Sequence, residues 1–206
     1  IKLEEHLVLG TTGLNKKDQG FMSEQRVDAV IVGAGFAGMY ALHRLVKENY
    51  HPIVFETGDN VGGTWYWNRY PGARCDIQSM EYSYTFDEDL QQDWNWSEKY
   101  APQPEILRYA NYVADRFELR QHINFNTRVL TARYDEIHQE WLVRTDQNKT
   151  YRTKFCIMAT GCLSSTNLPK FKGVDSFEGE SFHTGQWPHS PVDFNSKRIG
   201  IIGTGS

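Results

Sequence analysis

The stretch from Val27 to Glu56 constrains the chain more than any other. Val27-Asp28-Ala29-Val30-Ile31-Val32 is a short apolar run rich in β-branched residues, the pattern of a strand buried on both faces. It leads directly into Gly33-Ala34-Gly35-Phe36-Ala37-Gly38, a G-x-G-x-x-G turn. Met39, Leu42, Leu45 and Val46 then recur at helical spacing to about Glu48. A second apolar run, Pro52-Ile53-Val54-Phe55, ends in Glu56, 18 residues beyond Gly38. That interval is close to the roughly 20 residues that place an acid beside a ribose in dinucleotide-binding βαβ units.

Each part of the unit has a physical reason. Gly33 permits a tight turn, Gly35 lets the backbone approach a pyrophosphate, and Gly38 lets the helix lie close on the strand. The N–H groups around Phe36 and Ala37 open the helix, where unpaired donors and a partial positive charge favour phosphate. Glu56 can accept hydrogen bonds from ribose hydroxyls. The plainer alternative is a glycine turn in some other parallel α/β protein.

With 206 residues the chain holds one domain, or one and part of another, with a core of useful size. A net charge of −4 and the lack of basic runs argue against nucleic acid and membrane surfaces as partners. No apolar stretch approaches the roughly 18 residues a membrane span needs, and nothing resembles a signal peptide. Cys75, Cys156 and Cys162 lack metal-ligand spacing and read as reduced thiols, which predicts a cytoplasmic protein without a metal. The sequence begins at Ile1, with Met22 as an internal or original start. It ends at Gly203-Thr204-Gly205-Ser206 after Ile199-Gly200-Ile201-Ile202, a strand entering a second glycine motif about 170 residues after the first. That ending reads as a fragment.

The rest of the chain fills in around these two motifs. Residues 1–26 read as an irregular arm, 57–80 as a Gly-, Trp- and Tyr-rich segment, and 81–101 as an ordered loop anchored by aromatics. Pro104 and Glu105 open a helix whose apolar residues keep the 3.6 period to about Leu119. Ile123–Asn126 follows as a third parallel strand. Runs at 128–134, 140–145 and 151–155 read as an inserted β-meander, and Phe155–Gly161 as a closing strand. The expected domains are the arm at 1–26, a first dinucleotide domain at 27–162, a linker at 163–196 and the start of a second domain at 197–206. The fold class is α/β: a doubly wound Rossmann-like dinucleotide-binding domain with a β-meander insert, then the truncated start of a second Rossmann-like domain; two such folds in one chain suggest a flavin domain followed by a nicotinamide domain.

Two further segments narrow the class. Gly62, Gly63, Trp65, Tyr70, Pro71, Gly72 and Asp76 fit G-G-x-W-x-x-x-x-Y-P-G-x-x-x-D. Phe177, Gly179, His183, Trp187 and Pro188 fit F-x-G-x-x-x-H-x-x-x-W-P. With both glycine motifs, the chain from about Val27 onward resembles the FAD- and NADPH-dependent Baeyer–Villiger monooxygenases. The resemblance implies that NADPH reduces FAD, that reduced flavin captures O2 as a C4a-peroxide, and that a ketone becomes an ester or lactone.

The resemblance also implies residue roles. Gly63, Thr64, Trp65, Tyr66 and Trp67 would line the flavin and its ribityl-pyrophosphate, with Tyr82 at the flavin end and the Val129 backbone at the adenine end. Arg74, Cys75 and Asp76 would form the nicotinamide-side wall. Asp76 would be the catalytic carboxylate, orienting an arginine that is absent from these 206 residues. Gly203, Thr204, Gly205 and Ser206 would begin the NADP phosphate site. Apart from the resemblance, His183 is a solitary histidine in a Pro- and Gly-rich connection and reads as structural, bracing the linker between the two domains with Trp187.

Plainer readings stand beside these. Trp65 and Trp67 alternate along an extended segment as core anchors, Asp76 is a cap or turn residue, and Arg69 and Arg74 pair with surface acids. Rival functions are a flavin-containing or N-hydroxylating monooxygenase, a flavin disulfide reductase lacking its C-x-x-x-x-C, and a non-catalytic FAD-binding module. The small-molecule ketone and O2 are the expected partners; protein partners are not legible.

Overall fold

The computed structural model describes residues 24–203; residues 1–23 of the expected arm and Thr204, Gly205 and Ser206 lie outside the described residues. The strands are β1 (Glu24–Val32), β2 (Pro52–Phe55), β3 (Ile123–Asn124), β4 (Val129–Asp135), β5 (Glu140–Thr145) and β6 (Thr150–Met158). The helices are α1 (Phe36–Lys47), α2 (Thr64–Trp67), α3 (Glu88–Asp93) and α4 (Gln103–Arg116). β1 holds the middle of the sheet because Ala29, Val30 and Ile31 are apolar on both faces and wholly buried. The strand order is β3-β2-β1-β6-β5-β4. β3, β2, β1 and β6 run parallel, and β5 and β4 continue the sheet antiparallel.

Alternation along the strands sends Ile31 and Val54 to one face and Val30 and Phe55 to the other. On the first face Met39 and Leu42 of α1 and Ala110 and Ala114 of α4 complete the core. Each large apolar side chain buried there contributes roughly 1.5–3 kcal/mol. On the second face the buried partners of Val30 and Phe55 are Val143 of β5 and Tyr151 of β6. This is the Rossmann-like α/β sheet expected from the first glycine unit, with both long helices on one face among the described residues.

Four local expectations are corrected. The third meander run and the closing strand are one strand, β6, which pairs with β1 from Thr150 to Met158 and with β5 from Thr150 to Thr153. No glycine or proline interrupts it, so the inserted meander β4-β5-β6 shares its last strand with the parent sheet. Glu24, Gln25 and Arg26 belong to β1 and not to the expected arm, and ion pairs hold this stretch to the sheet: Arg152 to Glu24 at 2.8 Å, and Arg26 to Glu140 at 2.5 and 3.0 Å. Thr64–Trp67 is a helical turn, so Trp65 and Trp67 point in different directions. Ile199–Ile202 forms no strand, since it has no ladder partner in the described sheet, and Ile201 and Ile202 are exposed.

The aromatic segment at 81–101 is an ordered cap. Its α-helix, α3, is capped by Asp87, whose carboxylate accepts the Leu90 N–H at 2.7 Å. Leu90, Trp94 and Trp96 gather with Tyr84 and Phe86 around Tyr109 of α4.

Candidate functional site

The first glycine loop is built by close backbone contacts. Gly33 has φ +104°, and a Cβ there would lie 2.6 Å from the Ala159 carbonyl oxygen at the end of β6. A Cβ at Gly38 would fall 1.9 Å from the Gly33 carbonyl oxygen, so α1 can lie against the turn only with a bare backbone. Gly35 faces the second glycine pair: a Cβ at Gly63 would come within 2.9 Å of its Cα. The Gly62 N–H donates to the Ala34 carbonyl at 3.1 Å and locks the two loops together.

Between these loops lies the start of α1. Gly35 is its N-cap and supplies no side-chain bond, and the first turn contains no acid. The N–H groups of Phe36, Ala37 and Gly38 are therefore left as free donors at the positive end of the helix. Glu56 is buried at the end of β2. One carboxylate oxygen accepts the Ala34 N–H and the other the Gly58 N–H, each at 2.8 Å. It clamps the glycine loop to the turn after β2, and each oxygen keeps a lone pair free. Bare backbone, uncapped donors and an ordered acid together fit a dinucleotide pyrophosphate and its ribose.

The tryptophan loop forms the adjoining wall. Gly63 has φ +54° and opens α2, where Thr64 is half-buried, Trp65 and Tyr66 are buried and Trp67 turns outward. Trp65 donates its indole N–H to the Tyr82 hydroxyl at 2.6 Å, and its carbonyl accepts from the Gln103 amide. Tyr66 donates to Asp59 at 2.6 Å. Burial pushes the phenols of Tyr66 and Tyr82 upward, so both remain protonated donors.

The remaining predicted residues separate. Cys75 is packed under Trp65 with Ala101 and Ile106, its thiol donating to the Ile77 carbonyl at 3.1 Å. Arg74 turns outward to Glu98 at 2.9 Å and the Tyr100 carbonyl at 3.1 Å. Arg69 meets no acid among the described residues: it donates to the Tyr66 carbonyl at 2.6 Å and lies over the Tyr66 ring. Asp76 is exposed, close enough to Tyr82 for its charge to act on that phenol. Val129 opens β4 opposite Thr145, beside a register shift.

In the linker, the Phe177 ring lies over Gly179, where a Cβ would be 2.7 Å from it. His183 accepts the Gly185 N–H at 3.0 Å, and Trp187 packs between Phe182 and Phe194. Trp187 and Pro188 also line a shallow cavity of about 310 Å³ with Arg69 and Pro71. Gly203 is exposed with φ +97°.

Sequence reasoning gave no role to Gln103, Tyr84, Tyr109 or His189. The first three hold the site's backbone from behind. His189, one residue past the second motif, packs edge-on to Tyr66 at 5.4 Å and joins the linker to the tryptophan loop. The density of aromatics at 81–101 hinted at Tyr84, and the helical period from Ile106 onward placed Tyr109 on the apolar face of α4. Among the described residues there is no cluster of acids, histidines and cysteines fit for a metal, and no helix long and apolar enough to cross a membrane.

A parallel-sheet core whose first strand runs through close-packed glycine turns into an uncapped helix, with a buried acid ending the second strand, defines a dinucleotide-binding domain of the Rossmann type. The Flavin-binding monooxygenase-like family matches residues 25–206, and the chain belongs to that family. A Baeyer-Villiger monooxygenase of Pseudooceanicola batsensis is 48% identical over 180 residues, 87% of this chain and 33% of that protein. A phenazine N-monooxygenase of Lysobacter antibioticus is 42% identical over 87% of this chain and 33% of its own length. The solved structure of oxidized steroid monooxygenase bound to NADP superposes with a TM-score of 0.83 at 54% identity, covering 88% of this chain and 35% of that one. The chain spans about a third of the length of these relatives.

Proposed function

We propose that the protein carrying this chain is an FAD- and NADPH-dependent Baeyer–Villiger monooxygenase of the cytoplasm, inserting one atom of O2 beside a ketone carbonyl. The observation that carries the reading is the close backbone contact of Gly35 with Gly63 beside the uncapped start of α1. Bound FAD would accept hydride from NADPH and activate O2. The chain's own residues bind and orient it. The Phe36, Ala37 and Gly38 N–H groups hold the pyrophosphate, and Gly33 and Gly35 allow its approach. Glu56 holds the ribose with its free lone pairs while keeping the loop in place. Thr64, Trp65 and Tyr66 wall the ring, Trp67 backs them on the linker side near His189, and Tyr82 fixes Trp65, excluding water from that side.

Asp76, solvent-facing on the same loop as Tyr82, is free to pair with an arginine at the reacting edge. The Arg74–Cys75–Asp76 backbone, more than the Arg74 and Cys75 side chains, forms the nicotinamide side. Gly203, Thr204, Gly205 and Ser206 begin the NADP phosphate site of a second dinucleotide domain, and the segment from Phe177 to Pro188 joins the two.

A second reading is oxidation at nitrogen, favoured by the phenazine N-monooxygenase relative. One experiment separates the two. The protein is supplied with FAD, NADPH and O2 and offered cyclic and linear ketones beside aromatic N-heterocycles, with esters, N-oxides and H2O2 quantified. Esters support the main reading, N-oxides alone support the second, and NADPH consumption yielding only H2O2 counts against both.

A further inference from the structure

The carbonyl of Phe36 carries a hydrogen bond from outside its helix. Phe36 is the first residue of α1, and Tyr84, from the aromatic cap, donates its hydroxyl to that carbonyl at 2.5 Å. Tyr84 is itself held: its N–H donates to the hydroxyl of Tyr109 at 2.8 Å, and Tyr109 is wholly buried in α4. The rings reinforce the placement, with Phe36 lying 5.4 Å from Tyr84 and 6.1 Å from Tyr109. Burial holds the Tyr84 phenol far above its ordinary range, so it stays a donor.

The Phe36 carbonyl and the Ala37 N–H belong to one peptide plane. A donor on the carbonyl withdraws charge through the amide and makes the N–H a better donor, by roughly 10–30% in such chains. The Ala37 N–H is one of the free donors at the uncapped α1 terminus. We propose that Tyr84 is a positioning residue for the pyrophosphate site, fixing and polarising the Phe36–Ala37 peptide from the side opposite the cofactor, with Tyr109 fixing Tyr84. The proposal rests on the dinucleotide reading given above.

The test is Tyr84→Phe in the whole protein, which keeps the ring and removes the hydroxyl. FAD affinity is measured by flavin fluorescence, and ADP and adenosine are titrated as competitors with and without the phosphates. FAD and ADP are expected to weaken about two- to fourfold, the effect of weakening one charge-assisted donor by 10–30%, with adenosine unchanged. Tyr40→Phe is the control, since that hydroxyl meets Arg44 at 3.3 Å on the outer face of α1; it should change none of the three. Unaltered FAD and ADP binding in Tyr84→Phe overturns the proposal, as does equal weakening of ADP and adenosine. If Tyr84→Phe does not fold, Tyr109→Phe decides: about twofold weaker ADP supports the relay, and unchanged ADP overturns it. Wild-type protein that binds neither FAD nor ADP removes the dinucleotide reading itself, and this proposal with it.

Discussion

Gly35 and Gly63 meet backbone to backbone, and the contact is asymmetric. A Cβ on Gly63 would lie 2.9 Å from the Gly35 Cα, whereas a Cβ on Gly35 would lie 3.4 Å from the Gly63 Cα, an ordinary distance. Gly63 also has φ +54° with ψ −117°, a combination that L side chains resist. Gly63→Ala should therefore cost the unliganded protein about 1–3 kcal/mol in urea unfolding. Gly35→Ala should cost under about 1 kcal/mol, the scale of a helix cap, while placing a methyl group against the Gly63 backbone beside the start of α1. Its FAD affinity should fall roughly tenfold or more, because a methyl group keeps the pyrophosphate from the backbone. Equal stability losses in the two variants would contradict this division of roles.

Glu56 gives a second test that needs no cofactor. Its two oxygens each accept one backbone N–H at 2.8 Å in a buried setting. Glu56→Gln replaces one acceptor with an NH2 group, which must face either the Ala34 or the Gly58 donor. Unliganded Glu56→Gln should lose about 1–3 kcal/mol, the cost of a buried donor left without its charged partner. Urea unfolding of the apo protein measures it. An unchanged midpoint would mean that Glu56 serves only the ribose and not the loop.

The same residues show what the sequence makes legible. β1, α1 and β2 were readable because each has a clear apolar period and glycines mark the turn. The place of Glu56 followed from spacing, but its partners did not, since they depend on how the turn to Gly58 folds back on Ala34. Trp65 and Trp67 differ by two positions, which reads as extended; a four-residue helical turn is too short for its period to register. β6 was divided in two because its first half alternates and its second half is continuously apolar. That change marks where β5 stops pairing and β1 alone continues. Ile199–Ile202 has strand composition without strand structure, because composition supplies no ladder partner.

The charge network on β4 and β6 predicts an acid limb. Asp135 is held down at about 2, first by its hydrogen bonds with His138, at 2.8 Å through the ring, and then by Arg152 at 3.4 Å. Its unfolded value is about 3.9. The folded state therefore binds fewer protons between these values. The stabilisation is complete above about pH 4 and is lost as pH falls towards 2. Asp135→Asn should flatten the stability profile in that window and leave its shape above pH 5 unchanged. Thermal unfolding from pH 2 to 7 measures this. A wild-type acid limb in the variant would assign it to other carboxylates.

His189 carries the last prediction. Its ring stands edge-on to Tyr66 at 5.4 Å and lies 6.2 Å from Trp67, and the adjacent Trp187 and Pro188 face Arg69 and Pro71. Aromatic contacts of this kind contribute about 0.5–1.5 kcal/mol each. His189→Ala should release the linker locally while leaving the sheet intact, since none of its partners belongs to a strand. Tryptic cleavage after the exposed Lys170 and Lys172 should become roughly three- to tenfold faster, as expected when local opening is favoured by that energy. The global unfolding midpoint should hardly move. Unchanged cleavage would show that the linker is held by the packing of Phe182, Trp187 and Phe194 alone, and that His189 only covers the tryptophan loop.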